Sequence, residues 1–155
     1  MFNFVLYPTK FKNIVVQNAK VYSLEPALVY AVIKAESNFD EKAKSNSNAL
    51  GLMQLLPTTA NWIAEELNVS FNESDLFDPE VNVRFGCFYL RYLYDKFGDT
   101  DVVVAAYNAG ETKVKDWLGE NGKLNVEKID YPETRNYLKK VKGFYQIYKN
   151  NELCA

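Results

Sequence analysis

Residues 26–36 constrain the fold most, because the segment PALVYAVIKAE is apolar almost without interruption. Its only charge before the terminal Glu36 is Lys34. A helix that is apolar on nearly all sides belongs in the middle of a core. Pro26 fits the first turn of such a helix, and Ser23 is a candidate cap. Other helices must therefore surround this one.

Start and stop signals divide the rest of the chain into helices. Asp78 caps and Pro79 begins a helix that Gly98 ends, with Val83, Cys87, Leu90 and Tyr94 on one stripe. Strand signals are scarce, so the sequence predicts an all-α fold in a single domain spanning residues 1–155. The remaining predicted helices cover residues 11–22, 57–67, 101–107, 111–118 and 132 to the end.

The chain contains no histidine, which restricts the chemistry open to it. Ser-His-Asp and Cys-His sites are excluded in their usual form, as are histidine zinc sites. Cys87 and Cys154 lie too far apart in sequence to replace such sites, and we expect no disulfide between them. We therefore expect no metal and no cofactor, and any acid–base chemistry must come mainly from carboxylates.

Charge and hydropathy limit the partners and the location. A net charge of −2 gives no positive field for nucleic acid. No apolar run is long enough for a transmembrane segment. The start, MFNFVLYPTKFKN, lacks the features of an ordinary signal peptide, which leaves open a lost export segment, another export route or an intracellular protein.

Glu36 is the candidate catalytic residue. The negative end of the helix dipole and apolar neighbours both favour the neutral carboxyl, which is the state a general acid needs near neutral pH. The alternative is a glutamate at a frayed helix end that faces solvent. As second carboxylates, Asp78 is explained as a cap and Glu133 as a partner of a helix dipole. Asp40, Glu41 and Glu111 are explained as solvated charges.

Three further segments combine tyrosines with amides, as carbohydrate sites do. They are GLMQL with Met53 and Gln54, AAYNAG with Tyr107 and Asn108, and YPETRNYL with Tyr131. Aromatic rings stack on sugar faces, and amides bind hydroxyl and N-acetyl groups. Each segment alone is equally typical of a core turn or a helix end.

Taken in order, AES at 35–37, GLMQLLPTTA at 51–60, AAYNAG at 105–110 and YPETRNYL at 131–138 resemble the motifs of the soluble lytic transglycosylase (SLT) domain. The segment LFDPEVNVRFGCFYLRYL resembles a helix of the same family, and the likeness extends over residues 11–148. The resemblance implies a goose-type lysozyme-like helical domain with a substrate cleft, acting on peptidoglycan glycan strands. Asn48 departs from the glycine usual there, but asparagine tolerates left-handed backbone.

The resemblance also implies roles for residues. Glu36 would be the single acid and base, and Ser37 would form hydrogen bonds near it or the substrate. Tyr131 would lie near Glu36. The remaining expected contacts are Met53 and Gln54 lining the cleft, and Tyr107 and Asn108 holding the sugar beside the cleaved bond.

The implied reaction is cleavage of the β-1,4 bond between N-acetylmuramic acid and N-acetylglucosamine, leaving a 1,6-anhydro end. We expect a monomer in the cell envelope or outside the cell. A lysozyme-type hydrolase on the same fold and a non-catalytic glycan-binding module of an envelope machine remain alternatives.

Overall fold

A computed structural model describes residues 7–151, which form seven α-helices and two short 3-10 helices. The 3-10 helices are Glu73–Phe77 and Val126–Lys128, and neither was predicted. Every predicted α-helix is present, with ends that differ by up to three residues, except that α7 ends at Asn150 and does not continue through Asn151. The α-helices are α1 (Lys12–Val21), α2 (Pro26–Ser37), α3 (Pro57–Leu67), α4 (Pro79–Phe97), α5 (Thr100–Ala109), α6 (Glu111–Lys115) and α7 (Pro132–Asn150).

Helix α2 lies at the centre of the fold, as its apolar sequence predicted. Residues 27–33 are all buried, and the exposed fraction of Val32 is 0%. Helix α7 packs along α2 more extensively than any other element, and α1 also contacts it. The carboxyl end of α2, which carries Glu36, is therefore held between neighbouring elements.

The helix boundaries test the predicted start and stop signals. The Asp78 carboxylate accepts a hydrogen bond from the Glu80 amide at 2.9 Å, and Gly98 ends α4 with φ 70°. Both predictions are confirmed. The prediction that Ser23 caps α2 is wrong. Ser23 has φ 53°, and the residue at the cap position is Glu25, whose side chain forms no capping hydrogen bond.

Buried side chains form two hydrophobic clusters. The larger joins α1, α2, α4, α5 and α7, and the smaller joins α3 to the 50–55 turn and residue 85. Cys87 lies in the larger cluster as a buried thiol whose pKa is raised by that burial. Cys154, the other half of the pair considered in the sequence, lies outside the described residues. Among residues 7–151, no helix has the length and apolarity needed to cross a bilayer.

Buried Asn82 of α4 fixes the turn that follows the polar loop. Its amide oxygen accepts from the Met53 amide at 2.7 Å, and its amide nitrogen donates to the Leu50 and Leu76 carbonyls at 2.9 and 2.8 Å. Gly51 has φ 77°, and a Cβ there would lie 2.2 Å from the Asn82 amide nitrogen. Only glycine fits this close approach.

The loop before this turn contains the residue that departs from the family's glycine. Asn48 adopts φ 65°, so its backbone is left-handed as expected. Its side chain also donates to the Glu73 carboxylate at 3.1 Å. The substitution of asparagine for glycine therefore leaves the local backbone conformation intact.

Candidate active site

Glu36 occupies the last turn of α2 with its side chain largely removed from solvent. Burial raises the pKa of Glu36 from its usual 4.5 to about 8. The value of about 8 includes two further contributions, since the negative charge of Glu133 raises the pKa and the positive charge of Lys140 lowers it. The direction and the main cause agree with the sequence prediction, and a pKa near 8 leaves most of this carboxyl protonated at pH 7.

Two tyrosines lie close enough to Glu36 for its charge to affect them. Burial first, and then the negative charge of Glu36, raises the pKa of Tyr107 and of Tyr137 well above the usual value. The Tyr107 hydroxyl donates to the Met53 carbonyl at 2.7 Å. The buried Tyr137 hydroxyl has no hydrogen-bond partner within residues 7–151. The site therefore contains a largely buried acid and, within reach of its charge, a tyrosine hydroxyl whose proton makes no hydrogen bond in the described part of the chain.

Ser37 ties α2 to the 50–55 turn. Its hydroxyl lies 2.7 Å from the Leu52 carbonyl and 3.2 Å from the Ile33 carbonyl. A hydroxyl has one proton, so the shorter contact to Leu52 is the main hydrogen bond. This bond holds the turn against the residue that follows Glu36.

Met53 does not line an open cleft, contrary to expectation. Its exposed fraction is 0%, and its side chain packs on Gly86, where an added Cβ would lie 2.2 Å from the Met53 sulfur. Its carbonyl and amide bind Tyr107 and Asn82. The packing on Gly86 and the backbone hydrogen bonds hold the Met53 side chain in the core. Its thioether is therefore not available to a ligand at the surface.

Gln54, Tyr107 and Asn108 line one pocket, hereafter the site pocket, of about 220 Å³. One wall of the pocket consists of residues 54–56 and Thr59, which adjoin the smaller cluster. Tyr107 and Asn108 of α5 form the opposite wall. The Gln54 amide nitrogen donates to the Gly51 carbonyl at 2.9 Å, which fixes its side chain. The structure thus brings three of the predicted binding residues together where the two clusters meet.

Asn108 is fixed by a contact that the sequence did not indicate. The buried Thr134 hydroxyl donates to the Asn108 amide oxygen at 2.8 Å. This bond joins α5 to the first turn of α7, and it orients the Asn108 amide within the site pocket.

Tyr131 lies just before the first turn of α7, in contact with residues of α6 and of the turn that follows it. Its side chain is 45% exposed, packs edge-on against Trp117 with 5.4 Å between ring centroids, and has the Lys113 ammonium 4.9 Å from its ring centroid. Tyr131 precedes α7, and a second tyrosine of the same motif, Tyr137 within α7, was not predicted as a site residue although the charge of Glu36 raises its pKa.

The spacing along α7 could have identified this missed residue. Glu133, Tyr137 and Lys140 are separated by four and three residues, so they share one face of the helix. All three interact electrostatically with Glu36. The motif YPETRNYL includes Tyr137, but its position on an apolar stripe resembles that of an ordinary core residue.

The other candidate carboxylates differ in their surroundings. Asp78 caps α4, and Asp40 accepts from the Lys42 amide at 2.9 Å in an exposed loop. Glu133 is exposed in the first turn of α7, as predicted, and its charge also reaches Glu36. Glu111 is not simply solvated, because it accepts from the Lys96 ammonium at 2.8 Å and from the Tyr92 hydroxyl at 3.1 Å.

Known proteins are similar to this chain in both sequence and fold. The family model described as Transglycosylase SLT domain matches residues 13–129. The chain is 31% identical over 152 residues to the soluble lytic murein transglycosylase of Salmonella typhimurium, covering 93% of this chain and 24% of the relative. It is 35% identical over 154 residues to the putative soluble lytic murein transglycosylase of Haemophilus influenzae, covering 93% and 26%. The chain therefore spans about a quarter of the length of these relatives.

A solved structure has the same architecture. Lytic transglycosylase Slt from Pseudomonas aeruginosa, determined as an inactive mutant with a glutamate changed to glutamine, superposes with a TM-score of 0.88 at 29% identity. The match covers 98% of this chain and 26% of that one. This likeness confirms the predicted all-α, lysozyme-like fold. With the family match over most of its length, it shows that the chain belongs to the transglycosylase SLT domain family.

Proposed function

We propose that this chain is a peptidoglycan lytic transglycosylase that cleaves the β-1,4 bond between N-acetylmuramic acid and N-acetylglucosamine. The observation that carries the proposal is Glu36, a carboxyl whose pKa burial raises to about 8, beside the tyrosines Tyr107 and Tyr137. The names of the relatives, lytic murein transglycosylases, support the same substrate.

In the first step, Glu36 acts as general acid. Its neutral carboxyl donates its proton to the glycosidic oxygen, so that the bond from this oxygen to the anomeric carbon breaks and the leaving sugar departs as an alcohol. The N-acetyl oxygen of the muramic acid attacks the anomeric carbon and stabilises the positive charge there. Glu36 is now a carboxylate, and the Tyr137 hydroxyl is a donor available to stabilise it.

In the second step, the same residue acts as base. The Glu36 carboxylate removes the proton from the primary hydroxyl of the muramic acid, and the resulting oxygen attacks the anomeric carbon. The N-acetyl group leaves that carbon, and the product is a 1,6-anhydro end. Glu36 regains its proton in this step. The reaction therefore consumes no water and requires no second carboxylate.

The sugars next to the cleaved bond bind in the site pocket. Gln54 and Asn108 supply amides for hydroxyl and N-acetyl groups, and the Tyr107 ring supplies an apolar face. Ser37 and Met53 act indirectly, since they hold the 50–55 turn against α2 and α5. Tyr131, which is exposed beside α7, provides a further stacking surface at the edge of the site.

The proposed substrate lies outside the cytoplasmic membrane, so we propose that the protein works in the cell envelope or outside the cell. We further propose that it works as a monomer, because every residue assigned to the reaction comes from one chain.

Mass spectrometry of muropeptides released from purified sacculi tests the proposal. We expect products with 1,6-anhydro ends from the wild-type protein, and none from the Glu36→Gln variant. Reducing ends in place of anhydro ends would identify a lysozyme-type hydrolase. Binding to sacculi without release of any product would identify a glycan-binding module.

A further inference from the structure

A groove beside α7 has no part in the proposed reaction. It lies between α7 and the 3-10 helix Val126–Lys128, and its volume is about 550 Å³. This is within the range of about 300–1,000 Å³ that is typical of ligand pockets. The lining of this groove, hereafter the basic groove, includes three apolar and three cationic side chains, namely Val126, Pro132, Leu138, Arg135, Lys139 and Lys142.

The three cations share one face of α7, away from the proposed acid. Arg135, Lys139 and Lys142 are separated by four and three residues, so they lie together on the helix surface. Glu133, whose charge acts on Glu36, precedes Arg135 by two residues, which is about 200° around a helix. The basic groove therefore lies on the opposite side of α7 from the face that acts on Glu36.

The positive charge of the basic groove is only partly neutralised within the protein. Lys142 pairs with the Asp101 carboxylate at 3.0 Å. Arg135 and Lys139 are exposed, and within residues 7–151 neither side chain forms an ion pair or a hydrogen bond. The whole chain has a net charge of −2, so these cations are a local feature and not part of a generally basic surface. The groove therefore attracts an anionic group.

Both walls of the basic groove are held in place by contacts within the protein. The Thr134 hydroxyl bond to Asn108 at 2.8 Å fixes the first turn of α7, which also packs along α2. On the other wall, the Asn125 backbone amide donates to the Trp117 carbonyl at 2.8 Å, and the Asn125 side chain accepts from the Glu127 amide at 3.1 Å. Binding in the groove therefore requires little reorganisation of the protein.

The lining of the basic groove suits a peptide better than other anionic ligands. A glycan requires ring surfaces, and among the described residues no aromatic side chain lines the groove. A membrane binds apolar side chains that protrude, whereas Leu138 is buried at the base of this groove. The Asn136 amide can donate to and accept from a peptide backbone, and the Arg135 guanidinium can bind a carboxylate through two N–H groups.

We propose that the basic groove is a docking site for an acidic segment of a partner protein. The segment places a large apolar side chain between Val126 and Leu138, and its carboxylates bind Arg135 and Lys139. Complementary charge selects this partner, since unpaired cations beside an apolar cavity match carboxylates beside an apolar side chain. Docking on this side of α7 leaves the site pocket open, and the inference does not depend on the proposed function.

Selection from a random peptide library displayed on phage tests the docking site without assuming a particular partner. Peptides enriched on the wild-type protein should combine acidic residues with a large apolar residue. Synthetic copies of these peptides then serve as probes in fluorescence anisotropy. Arg135→Glu combined with Lys139→Glu should weaken their binding by about tenfold or more.

The matched control is Lys12→Glu combined with Lys20→Glu on α1, which changes the net charge equally at exposed positions. Its affinity for the same peptides should equal that of the wild type. Equal binding by the control and by the Arg135→Glu, Lys139→Glu protein would overturn the docking site, as would a selection that enriches no acidic peptide.

A further variant separates docking in the groove from simple attraction between charges. Val126→Arg fills the apolar cavity and adds a positive charge at a position that is 54% exposed, so it should weaken peptide binding without disturbing the core. Unchanged or tighter binding would overturn the docking site, because charge alone would then account for the affinity.

Two more measurements distinguish other roles for the same surface. Cosedimentation with phosphatidylglycerol vesicles that is lost in the Arg135→Glu, Lys139→Glu protein, with no acidic peptide enriched, would overturn the proposal in favour of a membrane surface. Release of anhydro products from sacculi by this protein should equal that of the wild type. A selective loss of release, with the fold intact, would place the groove in the path of the substrate and overturn its assignment to a partner.

Discussion

Glu36 and Glu111 are both glutamates beside tyrosines at helix ends, yet their environments give them opposite properties. Glu36 ends α2, where burial and the charge of Glu133 raise its pKa to about 8. Glu111 begins α6, where hydrogen bonds from Lys96 and Tyr92 lower its pKa despite partial burial. The helix dipole acts in the same directions, since an anion is disfavoured at a carboxyl end and favoured at an amino end.

The difference shows what suits each carboxyl to a role. A proton donor must be removed from water, and at the end of α2 burial outweighs the opposing charge of Lys140. A carboxylate that accepts hydrogen bonds must stay ionised, and the Lys96 ammonium favours that state of Glu111. Position relative to the core and to a cation thus decides between acid and acceptor.

The largest expected difference between the two glutamates appears when each is changed to glutamine. Glu36→Gln should lower kcat/KM on sacculi by roughly 10²–10⁴-fold or more, because proton transfer is lost in both steps. Glu111→Gln should lower kcat/KM by less than about tenfold, because it weakens hydrogen bonds to Lys96 and Tyr92 and leaves the acid intact. Measured rates of anhydro-product release separate the two. Comparable losses in kcat would contradict the assignment of a single acid.

The wild-type protein and the Glu36→Gln variant should also differ in how their stability changes with pH. The pKa of Glu36 is higher in the folded than in the unfolded chain, so the folded state binds more protons between about pH 4.5 and 8, and wild-type stability falls as pH rises through this window. Glu36→Gln removes this dependence. Melting temperatures should agree near pH 4 and favour the variant at pH 8.5. A melting-temperature difference that does not change with pH would contradict a raised pKa.

The next prediction compares the stability of the helices that carry the two carboxyls. Val32 lies one turn before Glu36 and is fully buried, so Val32→Asp should cost on the order of 5 kcal/mol and unfold much of the protein. Thr112 follows Glu111 in the first turn of α6 and is exposed, so Thr112→Asp should change stability by less than about 1 kcal/mol. Urea unfolding measures both. A well-folded Val32→Asp protein would mean that α2 is not the centre of the fold.

A smaller effect follows from removing the like charge that acts on Glu36. Glu133→Gln should lower the pKa of Glu36, because the charge that raises it is gone. The alkaline limb of the pH–rate profile should therefore move to lower pH, while the rate below pH 6 changes little. A loss of activity at every pH, with the fold intact, would make Glu133 a second catalytic carboxylate.

The smallest expected effect on Glu36 comes from removing the cation beside Glu111. Lys96→Met removes the cation beside Glu111, so the pKa of Glu111 should rise and the pKa of Glu36 should stay unchanged. Carbon-13 NMR titration of the glutamate carboxyls can follow both groups in one sample. An unchanged pKa of Glu111 would mean that the pair with Lys96 does not form in solution.

The central helix and its acid were predictable because one short segment specifies both. Residues 26–33 carry no charge and Lys34 is the only charge before Glu36, so burial of α2 and a raised pKa for Glu36 follow from local sequence. Asp78 and Gly98 were equally predictable, since capping depends on neighbours within a few residues.

The supports of the site were not predictable, because they depend on contacts between distant segments. Asn82 binds the 50–55 turn through the Leu50 carbonyl and the Met53 amide, and nothing near Asn82 in the sequence indicates these partners. Thr134 and Asn108 meet only when α5 packs on α7. Ser23 failed as a cap for a different reason, since its residue type suits a cap but α2 begins at Pro26, which places Glu25 at the cap position.

The most direct test of the central claim is the pKa of the Glu36 carboxyl in the intact protein. Carbon-13 labelled glutamate, with the Glu36→Gln variant identifying the signal, allows titration from pH 3 to pH 10. We predict a midpoint near pH 8, as expected for a carboxyl kept protonated by burial. A midpoint near the ordinary 4.5 would contradict the account, because Glu36 would then be ionised at neutral pH and would have no proton to donate.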